Sequence, residues 1–343
     1  MSQKLTSEKV SVADSAETVS NLFFEKGWSD GLPIIPPTEE AVERMLAGTS
    51  RDPAEVVATI PARFGEATVE KIAINAVMAG CLPEYLPVII AAVSMMGEEG
   101  LSLYSAQPTT HPVAPLLIVN GPIAKNLDIN SKSGAFGPGW QSNATIGRAI
   151  RLILMNIGGA IPGQTDMSTQ GQPSKYTFCV AENEEESPWE PLHVERGFDA
   201  STSTVTLVCT ENPHNINDHN AIAAEEILTT IAGSITTMGS NNVLTQSGTS
   251  ILALGPEHAA TIARDGFSKS DVKAFIHEKA RIPRRRFHER TIRWIYSDLD
   301  DDALIPVVAN KEELMVIVVG GPGKHSSFLP AFSYSHPITK AIL

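Results

Sequence analysis

Three apolar runs in this chain stop abruptly at a glycine–proline break, and the polar residues behind each break are the first candidates for chemistry. Residues 116–119 run into Asn120-Gly121-Pro122. Residues 251–254 run into Gly255-Pro256-Glu257-His258. Residues 316–319 run into Gly320-Gly321-Pro322-Gly323-Lys324-His325-Ser326. In open α/β sheets, ligands bind beyond the carboxyl ends of the strands. Lys324 and His325 on the last loop are suited to binding a carboxylate or stabilising an oxyanion.

Cys81 is the second candidate, in Ala79-Gly80-Cys81-Leu82-Pro83-Glu84. Proline is favoured in a first helical turn, so Cys81 is expected at or next to a helix N-terminus. The dipole there lowers a thiol pKa, and the thiolate is the nucleophile. Glu84 or His325 would be its proton partner. A small buried cysteine is the plain alternative.

The Gly-rich loop 133–143 carries Gly137, Gly139 and Trp140 and opens through Ser142 and Asn143 into an apolar helix. Exposed N–H groups at such a helix start suit a small anion. The loop has neither the GxxxxGK[ST] nor the GxGxxG pattern, so a carboxylate or small polar ligand is expected rather than a nucleotide. Asp30, in the rigid segment 27–37, and Asn120 are placed with this loop as substrate contacts. His214, Asp218 and His219 fall within six residues and could take a divalent metal, although capping of the next helix accounts for Asp218 equally well. No other cofactor is expected.

The elements that position these groups follow from pattern. Unbroken apolar runs of four or five residues fit strands covered on both faces. They alternate with helical stretches at 66–79, from 83 to about 96, at 144–157 and at 218–231. Strands are expected at 56–60, 116–120, 176–181, 205–209, 251–254 and 315–319. The reading is an α/β fold with mixed or mostly parallel sheets flanked by helices. Residues 1–13 are read as a flexible start, with similar α/β subdomains at 14–165 and 166–343. The acidic run 182–186 reads as a solvated turn, with Trp189 beside it as a pocket cover.

The chain has 343 residues, 42% of them hydrophobic and 19% charged, with a net charge of −13. That acidic balance argues against nucleic-acid or anionic-membrane partners. Arg281, Arg284, Arg285 and Arg286 are answered by Asp298, Asp300, Asp301 and Asp302, so they read as a solvated helix end or an intersubunit contact. Three cysteines without CxxC spacing, and no secretory pattern at the start, fit a cytoplasmic protein with reduced thiols. A homo-oligomer is expected.

Four segments, Gly27-Trp28-Ser29-Asp30-Gly31-Leu32-Pro33, Ala79-Gly80-Cys81-Leu82-Pro83-Glu84-Tyr85, Gly255-Pro256-Glu257-His258-Ala259 and Gly323-Lys324-His325-Ser326, resemble a family of bacterial proteins found fused or adjacent to proteins with the UGSC (selenocysteine or cysteine) motif. The resemblance spans about 20 to 330. It implies a cytoplasmic enzyme component linked to thiol or selenol chemistry. This sequence has no UGSC or CGSC stretch, so a reactive group in that motif would have to come from a partner. Three functions follow as expectations. One is a hydrolase or lyase cleaving or transforming a C–X bond of a small polar or anionic molecule through Cys81. Another is a metal-assisted enzyme using His214, Asp218 and His219. The last is a non-catalytic subunit of a UGSC-type protein.

Overall fold

The computed structural model describes residues 5–343. Among the described residues, twelve strands run in chain order: β1 Val56–Ile60, β2 Gly65–Thr68, β3 Ala114–Asn120, β4 Cys179–Ala181, β5 Thr204–Thr210, β6 His214–Asn217, β7 Ser250–Leu254, β8 Arg281–Pro283, β9 Leu304–Pro306, β10 Leu314–Val318, β11 His325–Leu329 and β12 Ile338–Ala341. Strands β1 and β2 form one small hairpin and β8 and β9 another. The remaining eight build two four-stranded sheets.

These two sheets have one design. The first is ordered β12-β5-β3-β4 and the second β6-β11-β7-β10. In each, the first two pairings are antiparallel and the last is parallel. The registers also correspond. Ile118 faces Thr206 and Val180 in the first sheet, as Ile251 faces Leu329 and Met315 in the second. Leu207 faces Ile338, as Phe328 faces His214. The outermost antiparallel strands are exchanged: β6 follows β5 in sequence but pairs with β11, and β12 follows β11 but pairs with β5. The chain is therefore an internal repeat in which each half completes the other's sheet. A division at 165 does not follow the sheets, because β3 lies before it and its neighbours β4 and β5 after it.

Period-2 alternation explains the layering. Leu116, Ile118, Val180 and Val208 of the first sheet meet Ile251, Ala253, Met315, Ile317 and Leu329 of the second in one apolar layer. The alternate residues Leu117, Val119, Val205 and Leu207 face outward onto the helices Val69–Ala79, Leu86–Val93 and Gln141–Asn156. Leu252, Leu254, Val316 and Val318 face the helices Ala224–Ile235, Pro256–Arg264 and Lys269–Lys279. The result is helices, sheet, sheet, helices. With both faces covered, the strands can be apolar throughout.

Several boundaries differ from expectation for local reasons. Residues 65–68 pair with β1, so that helix begins at Val69 with Thr68 as its cap. Residues 214–217 are an edge strand, and the helix expected at 218–231 runs from Ala224 to Ile235. The helix expected at 144–157 begins at Gln141 and is a core element, packed on Val69–Ala79. The start of the chain, read as flexible, is pinned where it is described. Thr6 and Ser7 donate their backbone N–H groups to the Glu70 carboxylate at 2.8–3.0 Å. Residues 1–4 lie outside the described residues.

Candidate functional site

The carboxyl ends of the two parallel strand pairs meet along one rim. After β4, the Asn183 N–H donates to the Val318 carbonyl at 2.8 Å, and its Nδ2 donates to the Gly320 carbonyl at 3.0 Å. The Gly320 N–H donates to the Ser131 carbonyl at 2.8 Å. Gly321 lies so close to the Gly-rich loop that a Cβ there would sit 1.9 Å from Ser133 Oγ. The Gly323 N–H donates to Glu257 Oε1 at 2.7 Å. The rim is thus continuous from the Gly-rich loop through the acidic run to the 320–325 loop and the start of the Pro256–Arg264 helix.

Two exposed histidines close the far end of this rim. His325 opens β11 opposite Asn217 of β6. Along β6, Ile216 points to the core while Asn215 and Asn217 share the other face. His325 Nδ1 lies 2.9 Å from Asn215 Oδ1, and His219 Nδ1 is hydrogen-bonded to Asn217 Oδ1. The imidazole centroids are 5.0 Å apart, edge to face at 78°. An amide oxygen only accepts, so each Nδ1 is the donor, and in the neutral imidazole the open lone pair is then on Nε2. Lys324 braces the pair from behind, its Nζ donating to the carbonyls of His219 at 3.1 Å and Ala221 at 3.0 Å.

A third histidine is buried beneath. His258 Nε2 lies 3.1 Å from the Asp218 carbonyl and Nδ1 lies 2.8 Å from Ser326 Oγ, which accepts the Gly255 N–H at 3.1 Å. The carbonyl fixes Nε2 as the donor, so the Ser326 hydroxyl donates to Nδ1. Burial holds the His258 pKa below the usual imidazole value, which suits this neutral tautomer. With both side chains buried, the pair ties β11 to the Pro256–Arg264 helix.

Cys81 stands next to a helical start, as its sequence suggests, directly before Leu82, which caps the turn Pro83–Tyr85 that runs on into the helix Leu86–Val93. Gly80 ends the Val69–Ala79 helix in the left-handed conformation, and the Cys81 N–H folds back to the Ala76 carbonyl at 3.0 Å. Cys81 therefore lies between one helix C-terminus and the next helical start, whose dipoles act on a thiolate in opposite senses. It is only 9% exposed, and burial pushes its thiol up to about 12, against smaller opposing effects from Thr145 and Arg148. The expected lowering of the thiol pKa is absent. Glu84 is exposed in the 3-10 turn Pro83–Tyr85.

Most of the expected substrate contacts are spent inside the fold. Asp30 makes a two-pronged ion pair with Arg148, both contacts 2.8 Å. Ser142 Oγ donates to the Asp128 carbonyl at 2.6 Å, and Asn143 Nδ2 donates to the carbonyls of Asn130 and Cys179. Asn120 is fully buried, its Nδ2 donating to Glu182 Oε2 at 2.6 Å and Glu184 Oε1 at 2.9 Å. Gly137 and Gly139 are exposed, and Trp140 is half-buried at the cap of the Gln141–Asn156 helix.

Only the second part of the acidic run is the solvated turn expected of it, with Glu185 and Glu186 exposed. Glu182 and Asn183 are buried, and Glu182 Oε2 also accepts the Leu192 N–H at 2.7 Å. Burial raises the Glu182 pKa, opposed by Lys269 at 3.8 Å. Trp189 covers no site on this rim; its Nε1 donates to the Phe267 carbonyl. The role of Glu182 had one sequence signal, its position directly after a strand end.

His214, Asp218 and His219 do not form a ligand set. Asp218 accepts from Ala221 N at 2.9 Å, Asn220 N at 3.2 Å and Thr230 Oγ1 at 2.6 Å. His214 lies opposite Phe328, at the other end of β6 from Asn217. Among the described residues no three His, Cys, Asp or Glu side chains gather into a metal-holding group, and no helix is long and apolar enough to cross a membrane. Arg284 and Arg285 pair within the chain, with Asp301 and Asp302. No family model, curated protein or solved structure matches this chain.

Proposed function

We propose that this chain is an enzyme that transforms a small polar or anionic molecule by proton transfer, with His325 and His219 as the acid–base pair and the 131–139 and 320–325 loops as the substrate cradle. The observation that carries this reading is the pair of exposed imidazoles whose Nδ1 atoms are each held by an asparagine oxygen. A positioned imidazole with an open Nε2 is the usual general base. Backbone N–H groups on a glycine-rich loop can approach a carboxylate or a developing oxyanion closely. Hydrolysis and lyase-type elimination both fit such a pair.

The thiol reading is weaker on two counts, the burial of Cys81 and the upward displacement of its pKa. A screen of carboxylate-bearing esters, thioesters and β-substituted acids tests the proposal. His325→Ala should lower turnover about 100-fold or more, while Cys81→Ser should leave it nearly unchanged. The reverse pattern would return the chemistry to the thiol.

A further inference from the structure

Away from the rim, a cleft of about 880 Å³ lies between the chain's N-terminal strap, residues 5–15, and the body of the first half. That volume falls within the range of small-molecule sites. Its walls are mostly apolar, formed by Val10 and Val12 of the strap and by Phe23, Trp28, Val42 and Met78 of the body. Phe23 and Trp28 stand edge to face at 5.3 Å. Val10 and Val12 remain about half exposed, so the strap borders the space without filling it.

The charges around this cleft choose among ligands. Among the described residues, four carboxylates line it, on Glu8, Asp14, Glu39 and Glu70, against one cation, Lys9. Lys9 is taken by Glu39 at 2.8 Å. Glu70 is taken by the strap, accepting from the N–H groups of Thr6 and Ser7 and from Thr6 Oγ1. Glu8 and Asp14 make no ion pair among the described residues. An anion entering here meets only uncompensated negative charge, whereas an ammonium group has two open partners and an aromatic wall for its attached carbons.

We propose that this cleft binds an organic cation with an apolar body, an alkyl or aryl amine. The body lies against Trp28, Phe23 and the strap valines, and the ammonium group meets Glu8 and Asp14 at the mouth.

Hexylamine, hexanol and hexanoate form a series of one length and three charges. Calorimetric titration of the full chain should rank them amine, alcohol, acid, with the amine about tenfold tighter than the alcohol. The double variant Glu8→Gln, Asp14→Asn changes two surface side chains and should fold normally. In it the amine should fall to the affinity of hexanol, and hexanol should be unaffected. Trp28→Leu should weaken both. Equal binding of all three, no binding of any, or amine affinity untouched by the double substitution would overturn the assignment.

Discussion

Ser326 donates its hydroxyl proton to Nδ1 of His258 across 2.8 Å while accepting the N–H of Gly255, so one buried serine joins a strand, a turn and a helix. The arrangement needs a neutral imidazole. The His258 pKa is depressed in the fold, chiefly by burial and further by the charges of Lys324 and His325, against opposing effects from Asp218. Its stabilising contribution is therefore complete above the ordinary imidazole value of about 6.5 and is lost as pH falls below it. Thermal denaturation from pH 8 down to about 5.5 should show a declining Tm. His258→Gln should lower Tm at pH 8 and flatten the decline. A variant with the wild-type slope would remove His258 as its source.

The glycine–proline breaks recur because the repeat brings backbone close at the same place twice. A Cβ on Gly255 would lie 2.2 Å from the His325 carbonyl oxygen, and one on Gly121 would lie 2.5 Å from that of Thr202. Gly255→Ala and Gly121→Ala should each destabilise by about 3 kcal/mol or more. Gly233, in the Ala224–Ile235 helix with open space around it, is the control, and Gly233→Ala should stabilise by about 0.5–1 kcal/mol. Denaturant unfolding of the three variants checks the contrast.

Asp30 holds Arg148 in a two-pronged pair, and Arg148 also donates to the carbonyls of Leu32 and Pro33. This contact fastens the 27–37 segment to the Gln141–Asn156 helix. Asp30→Ala leaves a mostly buried guanidinium without its anion and should destabilise by about 3–5 kcal/mol. Urea unfolding gives the value. A folded, fully stable variant would return Asp30 to the substrate contacts.

Glu70 governs the strap. Burial alone would raise its pKa, but the hydrogen bonds from Ser7 and Thr6 outweigh that, and the net displacement is downward. The strap contact is thus fully present above the ordinary carboxylate value and is lost as pH falls below it. At neutral pH, Glu70→Gln should speed protease cleavage within residues 5–15 without altering cleavage elsewhere. Mass mapping of a limited digest reads the difference.

The central strands could be read from composition because they are covered on both faces and need no polar residues; Leu116 to Val119 and Ile251 to Leu254 are examples. The exchanged strands could not. His214-Asn215-Ile216-Asn217 buries one side chain at a sheet edge, and His325-Ser326-Ser327 is mostly polar, so neither shows the run that marks a strand. Their pairing is a long-range choice, and it is the pairing that sets His325 beside Asn215 and His219. The 133–143 and 320–325 loops were legible as glycine turns, yet their mutual contact through Gly321 and Ser133 depends on two sheets meeting. For Cys81 the same local pattern, glycine then cysteine then proline, fits the end of one helix as well as the start of the next. In the fold it is both, following the Gly80 cap and preceding the Leu82 cap, and it is burial that sets the thiol apart from the expectation.

The most direct test of the proton-transfer site is chemical labelling of the folded protein at pH 7.5, with peptide mapping. Diethyl pyrocarbonate reacts with an open imidazole lone pair and iodoacetamide with a thiolate. The account predicts fast carbethoxylation of His325 and His219, slow modification of His258, and no measurable alkylation of Cys81 before unfolding. Rapid alkylation of Cys81, or a His325 as inert as His258, would contradict it.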